Sequence, residues 1–363
     1  MKYLDEYRDP AMAHDLIERI KDLSASINRK TRFMEVCGSH TVAIYKAGIK
    51  SLFPNLDLIS GPGCPVCVTS SRDIDQIIRL AELPGIIVAT FGDMIRVPGT
   101  TSSLQEEISR GAKVSVVYSP LDALEIAREN QAKKVVFLAV GFETTAPTIA
   151  ATILQAEREG VRNFSILSYH KLIPPAMKAL LAEGEVRIDG FLCPGHVSAI
   201  IGSTPYEFIP KEYHLPAVIA GFEPLDILQA LFMLLMQIKG NRPAVEIQYS
   251  RVVRPEGNPG AMKKLWQVFQ PADATWRGLG VIPESGLVLR QEFAHYDASR
   301  QFDLSVEERA DPPGCQCGQV LKGLQRPTDC PLFGRVCNPQ QPVGPCMVSA
   351  EGSCAAAYKY GRS

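Results

Sequence analysis

The chain has 363 residues, of which 46% are hydrophobic and 21% charged, a composition that excludes a largely disordered protein. Its 38 Lys and Arg nearly balance its 39 Asp and Glu, so it lacks the basic surface that nucleic-acid binding requires. The length predicts two or three domains.

The N-terminal sequence and the most apolar stretch of the chain predict the compartment in which the protein functions. The N-terminal sequence MKYLDEYRDP does not resemble an export signal, because acids stand where such a signal has basic and apolar stretches. The most apolar helical stretch, residues 227–238, is too short to cross a bilayer. We therefore expect a cytoplasmic protein that spans no membrane. Structural disulfides are uncommon in that reducing compartment, so its ten cysteines indicate metal or redox chemistry.

Short β-branched runs alternate with helical stretches over the first two thirds of the chain. The predicted strands are residues 32–36, 56–59, 85–90, 114–118, 135–140, 164–168, 188–192 and 217–220. The predicted helices are residues 11–27, 42–50, 72–81, 121–129, 147–157, 175–181 and 225–238. Near-continuous apolar strands are typical of parallel sheets that are buried on both faces. The alternation therefore predicts an α/β fold of doubly wound type.

Eight strands are many for one small sheet, and residues 130–134 offer a seam between two lobes. We predict an α/β lobe at residues 1–130, a second α/β lobe at 131–254 and a C-terminal segment at 255–363. In that segment we expect a helix at 261–269 and a hairpin through 278–289, followed by a small cysteine-rich portion.

Four loops share one pattern: an apolar strand, a turn that contains glycine, and a helix that begins near a hydroxyl residue. They are residues 36–41 (VCGSHT), 60–69 (SGPGCPVCVT), 141–147 (GFETTAP) and 192–198 (LCPGHVS). Parallel strands end at one edge of a sheet, which is where ligands bind in α/β proteins. We therefore expect the four loops to form one site.

The cysteines of these loops indicate thiol chemistry. Cys37 and Cys67 lie at predicted helix starts, where the helix dipole lowers a thiol pKa. Cys64 and Cys67 form a CxxC pair, which can close a disulfide, bind one metal ion or supply half of a structural zinc site. Cys193 is a candidate either for the site or for plain core packing.

Three further side chains in these loops can carry protons. They are His40, His196 and Glu143, and each also has an ordinary interpretation as a polar loop residue or a helix-terminal charge.

The tail contains the other cysteines, in a segment with little apolar periodicity. They are Cys315, Cys317, Cys330, Cys337, Cys346 and Cys354. A segment of this kind needs a metal or a cluster to order it. No histidine follows His295, which favours an iron–sulfur cluster over a Cys/His zinc site, although structural zinc stays an alternative.

Taken together, the motifs CGSHT, GPGCPVC, GFETTAP and CPGHVS and the cysteine-rich tail resemble the HypD family. Members of this family help to build the Fe(CN)2CO unit of [NiFe] hydrogenases. The resemblance covers essentially the whole chain. It implies a [4Fe-4S] cluster held by four tail cysteines with 14, 6 and 16 residues between them, which here are Cys315, Cys330, Cys337 and Cys354. Cys317 and Cys346 are then left over.

The resemblance also implies partners and roles. The protein would act as a scaffold with a small HypC-type chaperone, and a HypE-type protein would deliver cyanide. Cys37 would hold iron jointly with a cysteine of the HypC-type partner, and Cys64 and Cys67 would be a redox-active dithiol or further ligands nearby. Our hypothesis is electron flow from the cluster through this pair to the iron, with His40, His196 and Glu143 handling protons or supporting the ligands.

Two other function classes compete with this one. A stand-alone iron–sulfur protein-disulfide reductase would use Cys64 and Cys67, but it leaves Cys37 and its Gly-Ser-His-Thr setting unexplained. A structural zinc adaptor would be colourless after anaerobic purification.

Overall fold

The computed structural model describes residues 5–307, 309 and 311–361. The parts of the predicted ranges at residues 1–4, 308, 310 and 362–363 lie outside the described residues. The strands are β1 (Thr31–Glu35), β2 (Leu56–Ser60), β3 (Ile86–Thr90), β4 (Val114–Val116), β5 (Lys134–Ala139), β6 (Phe164–Ser168), β7 (Gly190–Pro194), β8 (Ala217–Ala220), β9 (Val245–Ile247), β10 (Phe269–Trp276) and β11 (Gly280–Leu289).

The α-helices lie mainly between the strands, and the last three lie in the tail. They are α1 (Pro10–Ser26), α2 (Gly38–Lys46), α3 (Ile49–Leu52), α4 (Pro65–Val68), α5 (Ser71–Ala81), α6 (Leu104–Ser109), α7 (Pro120–Glu129), α8 (Ala146–Glu159), α9 (Ile173–Glu183), α10 (Gly195–Ile201), α11 (Phe208–Tyr213), α12 (Pro224–Gly240), α13 (Pro259–Val268), α14 (Ala298–Gln301), α15 (Cys317–Leu321), α16 (Pro345–Val348) and α17 (Ser353–Tyr360).

Two parallel sheets form the centre of the fold. The first has the strand order β2-β1-β7-β8-β9, and the second has the order β4-β3-β5-β6. In the first sheet β1 pairs with β2 from Thr31 opposite Leu56 to Glu35 opposite Ser60. Helices flank both sheets, so the predicted α/β fold with parallel sheets is confirmed.

Successive side chains of a strand point to opposite faces of its sheet, so the buried residues form separate clusters on the two faces. Phe137 in β5 packs in a cluster with α7, α8 and α13, whereas its neighbours Val136 and Leu138 belong to a larger cluster. That larger cluster also contains Met34 of the first sheet, so it joins the inner faces of both sheets. A third cluster buries the other face of the first sheet under α1 and α12. Strands buried on both faces explain the near-continuous apolar runs.

The predicted boundary at residues 130 and 131 does not separate the two sheets. Strands β3 and β4, which precede it, pair with β5 and β6, which follow it. The chain leaves the first sheet after β2 and returns to it at β7, beside β1. The apolar pattern locates each strand but does not specify which strand it pairs with, so the sequence alone could not place this boundary correctly.

Strand β9 was not predicted, because it is three half-buried residues at a sheet edge.

The C-terminal part contains a separate antiparallel sheet of two strands, β10 and β11. Helix α13 lies where a helix was predicted, and the hairpin begins earlier than predicted, with its turn at residues 277–279. The tail helix α17 packs against α2, and α15 and α16 pack against α4. The tail therefore lies on the two helices that follow β1 and β2. Among the described helices, none is both long and apolar enough to cross a membrane.

Candidate functional site

Three of the four predicted loops follow neighbouring strands of the first sheet. Cys37 follows β1, residues 61–67 follow β2, and residues 195–198 follow β7. The amide N–H of Gly38 donates to the carbonyl oxygen of Gly63 at 2.9 Å, so the first two loops touch. A Cβ on Gly63 would lie 2.2 Å from the backbone nitrogen of Cys37. Only glycine allows this approach.

The CPVC sequence folds as the single turn of α4. Cys64 caps this turn, because its Sγ accepts the amide N–H of Cys67 at 3.2 Å. The two cysteines are joined by a disulfide, and both are buried. Of the alternatives for the CxxC pair, the structure therefore contains the disulfide. To act as metal ligands, the two sulfurs would first have to be reduced to thiolates.

Cys37 is a free, buried thiol at the start of α2. Burial raises its pKa to about 12, and the negative charges of Glu351 and Glu35 act in the same direction. The prediction of a lowered thiol pKa is therefore wrong for Cys37 in this structure. Loss of hydration outweighs the dipole of a nine-residue helix. A metal cation bound here would deprotonate the thiol outright.

Two acidic residues at Cys37 were not found by sequence reasoning. Glu35 accepts the amide N–H of Cys37 at 3.1 Å and the hydroxyl of Thr41. Burial raises the pKa of Glu35 to about 7. Glu351 comes from the tail and accepts the hydroxyl of Ser39 at 2.6 Å. Glu35 ends an apolar strand and Glu351 lies 312 positions from Ser39, so no local pattern marks either one.

The rings of His40 and His196 both lie against the ring of Phe222. The ring centroids of His40 and Phe222 are 4.8 Å apart, and those of His196 and Phe222 are 4.0 Å apart. His40 Nε2 donates to the carbonyl oxygens of Ala220 and Gly221 at 3.1 and 3.0 Å, which leaves Nδ1 as the unprotonated nitrogen.

Burial lowers the pKa of His40 to about 4, so its ring is neutral at neutral pH. Its Nδ1 is buried and has no hydrogen-bond partner among the described residues. His40 therefore offers a proton acceptor inside the site.

Glu143 lies at the end of β5 in the second sheet, so the fourth loop belongs to the other sheet edge. Its Oε1 accepts the amide N–H of Ile173 at 2.9 Å, and its Oε2 has no partner among the described residues. Burial raises the pKa of Glu143 to about 7. Residues of this loop and Pro65 of α4 line one pocket. The two sheet edges therefore meet at α4, the turn that contains Cys67.

Cys193 has a different environment from the other loop cysteines. It is completely buried in β7, within the larger core cluster, and burial raises its pKa. Its surroundings match the core-packing interpretation.

The tail cysteines converge in space. A small cavity is lined by Cys315, Cys317, Cys330, Cys337 and Cys354. Cys346 hydrogen-bonds to Cys317 and Cys354. The four cysteines predicted to hold a cluster are therefore together, and the two left-over cysteines belong to the same group.

An all-thiol donor set inside an apolar wall fits a [4Fe-4S] cluster. Leu332, Phe333 and Met347 supply much of that wall. The thiols hydrogen-bond to one another, and no group of three or more His, Cys, Asp or Glu in the described part of the chain is already arranged as a metal site.

Comparisons with known proteins agree along the whole chain. The family model HypD, described as "Hydrogenase formation hypA family", matches residues 11–361. The hydrogenase maturation factor HypD of Azotobacter vinelandii is 48% identical over 370 residues, covering 100% of this chain and 97% of that protein. The protein of the same name in Escherichia coli is 46% identical over 366 residues, covering 99% and 98%. Such matches mean that the chain belongs to the HypD family of hydrogenase maturation factors.

Proposed function

We propose that this hydrogenase maturation factor is a cytoplasmic scaffold on which the Fe(CN)2CO unit of [NiFe] hydrogenases is assembled. In this proposal a HypC-type chaperone shares the iron, and a HypE-type protein delivers the cyanide. The observation that carries the proposal is a free thiol, Cys37, whose loop is hydrogen-bonded to the loop of the buried Cys64–Cys67 disulfide.

Cys37 is the residue we assign to the iron. Carbon monoxide and cyanide favour electron-rich iron, and a thiolate is a soft ligand suited to it. Burial of Cys37 excludes water, and its backbone is fixed by Glu35 on one side and Gly63 on the other. One thiolate leaves the remaining coordination positions for the diatomic ligands and for a cysteine of the partner.

An open groove beside Cys37 offers room for that partner. It is lined by Ser39, Val42 and Lys46 of α2, by Phe222, and by Glu351 of the tail. A lining that mixes apolar and charged side chains is typical of protein interfaces. A chaperone seated there would reach the start of α2.

The disulfide pair accounts for the reduction that cyanide delivery requires. A thiocyanate group has its S–C bond broken when two thiols give up two electrons: R–SCN and two Cys–SH yield R–SH, HCN and a disulfide. Two electrons and two protons then restore Cys64 and Cys67 as thiols. A [4Fe-4S] cluster, when bound in the tail, would supply electrons one at a time.

Protons for these steps need acceptors and donors within the site. His40 is neutral with a free Nδ1, and Glu143, with its pKa raised to about 7, changes protonation near physiological pH. A group whose pKa is near the working pH is suited to proton transfer.

The test is infrared spectroscopy of anaerobically purified protein co-expressed with its HypC-type partner. We expect stretching bands of iron-bound cyanide and carbon monoxide, which vanish in Cys37→Ala. Cys193→Ala is the matched control, since it removes another buried free thiol that lies in the core, and its bands should remain. Bands that persist in Cys37→Ala contradict the assignment of the iron to Cys37.

A stand-alone disulfide reductase is the second candidate, and one observation favours it. The disulfide is formed, and helices α15 and α16, which carry Cys317 and Cys346, pack against its helix α4. Wild-type protein that shows no cyanide or carbon monoxide bands with its partner, yet reduces protein disulfides through Cys64 and Cys67, would establish this alternative.

A further inference from the structure

Arg277 lies in the turn between β10 and β11, and its guanidinium is almost completely buried. Only 1% of its side chain is exposed. Its amide N–H donates to the carbonyl oxygen of Val68 at 2.8 Å, and its Nε donates to that of Thr69 at 3.0 Å. Val68 directly follows Cys67 and ends α4. Arg277 therefore holds the chain immediately after the disulfide.

The same turn contacts the chain on both sides of the first tail cysteines. Arg277 Nη1 donates to Oδ1 of Asp311 at 2.6 Å, and Asp311 belongs to the short segment that leads to Cys315. The next residue, Gly278, lies against Gly318, because a Cβ on Gly278 would be 2.4 Å from the Gly318 Cα. One buried cation thus ties the disulfide helix to the cysteine-rich portion.

The positive charge of Arg277 is incompletely cancelled in this interior. Its partner Asp311 has a side chain that is 46% exposed, against 1% for Arg277, so water screens the carboxylate more than the guanidinium. The turn also places Arg277 beside the tail cavity, because Gly278 lies against Gly318, which directly follows the cavity-lining Cys317. The guanidinium is therefore a source of positive potential at the tail cavity.

We propose that Arg277 is a positioning residue whose buried charge raises the reduction potential of the iron–sulfur cluster in the tail. The inference rests on the proposed function, because it requires that cluster. Reduction of a [4Fe-4S] cluster from 2+ to 1+ adds one electron and one negative charge. A buried cation nearby stabilises the added charge, whereas the carboxylate of Asp311 opposes it. The two residues therefore act on the potential with opposite signs.

The experiment is a redox titration of full-length, anaerobically purified protein with dithionite, followed by electron paramagnetic resonance of the reduced cluster. In Arg277→Gln we expect the equilibrium constant for reduction to fall about tenfold, which is about 59 mV for a one-electron couple. In Asp311→Asn we expect a smaller shift in the opposite direction. Arg277→Lys keeps the charge and should remain near the wild type.

Arg335→Gln is the matched control. Arg335 is an exposed arginine between Cys330 and Cys337. Its substitution changes the net charge by the same amount as Arg277→Gln, but at a position where solvent screens the charge. We expect no comparable shift from it. A loss of packing alone predicts no reversal of sign between Arg277→Gln and Asp311→Asn, so opposite shifts support the charge effect.

Equal potentials in wild type, Arg277→Gln and Asp311→Asn, or shifts of the same sign, overturn the inference. If Arg277→Gln does not fold, the sign of the potential shift in Asp311→Asn tests the inference instead. That variant should fold, since the side chain of Asp311 is half exposed. A wild-type protein that shows no reduced-cluster signal contradicts the proposed function itself, and with it this inference. The wild-type signal therefore distinguishes the two failures.

Discussion

The surroundings of Cys37 disfavour ionisation of its thiol. Burial and the charges of Glu35 and Glu351 raise its pKa, so the free thiol is protonated at neutral pH. A buried thiol of this kind reacts slowly with oxidants and alkylating agents, since the thiolate is the nucleophile. A bound cation would reverse this preference, as the proposed role of Cys37 as an iron ligand requires.

Glu143 gives a prediction in the pH dependence of stability. Its folded-state pKa of about 7 lies above the ordinary 4.5, so the folded protein favours the protonated acid. That contribution to stability is complete below pH 4.5 and is lost as the pH rises through 7. The free energy of unfolding of Glu143→Gln, measured relative to that of the wild type, should therefore rise by about 3 kcal/mol between pH 4.5 and pH 8.

Urea unfolding of wild type and Glu143→Gln at pH 5 and pH 8 measures the difference. Glu256→Gln makes the same chemical change at an exposed carboxylate and serves as the control. A stability difference between Glu143→Gln and wild type that does not vary with pH would contradict the assigned pKa direction.

At the scale of elements, the site depends on close contact between the loops after β1 and β2. Gly63 lies against the backbone of Cys37, and the contact leaves no room for a side chain. The loop that holds the disulfide therefore also fixes the position of the free thiol. Helix α4 is a single turn, which is not stable without tertiary contacts. Contacts with α15, α16 and the hairpin turn hold it in position.

Gly63→Ala tests this contact. A methyl group within 2.6 Å of three backbone atoms forces the two loops apart, so we expect a loss of about 2 kcal/mol in the free energy of unfolding. The infrared bands of the partner complex should weaken as well, since Cys37 moves. Gly240→Ala, at the open end of α12 with nothing within 4 Å, should be neutral or slightly stabilising. Unchanged stability and bands in Gly63→Ala would show that the loops are not rigidly coupled.

At the scale of the whole molecule, the chain threads the two sheets in an interleaved order. It builds two strands of the first sheet, then the whole second sheet, and then returns to complete the first. The core between the sheets contains residues from both, together with Cys64, Cys67 and four tail cysteines, which are Cys317, Cys337, Cys346 and Cys354. Cys315 is partly buried and packs against this core. The site is therefore formed only when distant parts of the chain have met.

The interleaved order predicts that a fragment of residues 1–130 does not fold on its own. It would hold β1 and β2 without β7, and β3 and β4 without β5, so each sheet would lose a central strand. We expect no cooperative thermal transition by circular dichroism for this fragment, and a cooperative one for the full chain. A sharp transition in the isolated fragment would show that residues 1–130 fold as an independent lobe, contrary to this prediction.

Local pattern located the longer helices and most strands of the two parallel sheets, but it missed β9 and short helices such as α6 and α11. Eight strands of the two sheets lie where short apolar runs were found, because strands buried on both faces have few polar residues. The motifs also located Cys37, Cys64 and Cys67, since glycine and cysteine at strand ends are unusual in core sequence. Glu35, Phe222 and Glu351 carried no such signal, because their importance comes only from what they touch.

Motifs and periodicity are local properties of a chain, so the family, the α/β class and the cysteines that can do chemistry were accessible without a structure. The pairing of the strands, the protonated state of Cys37 and the joining of the tail to the site through Arg277 and Glu351 became visible only in the folded chain. Strand pairing, burial and electrostatic environment arise from residues far apart in sequence, and their energies do not exist until the chain has folded.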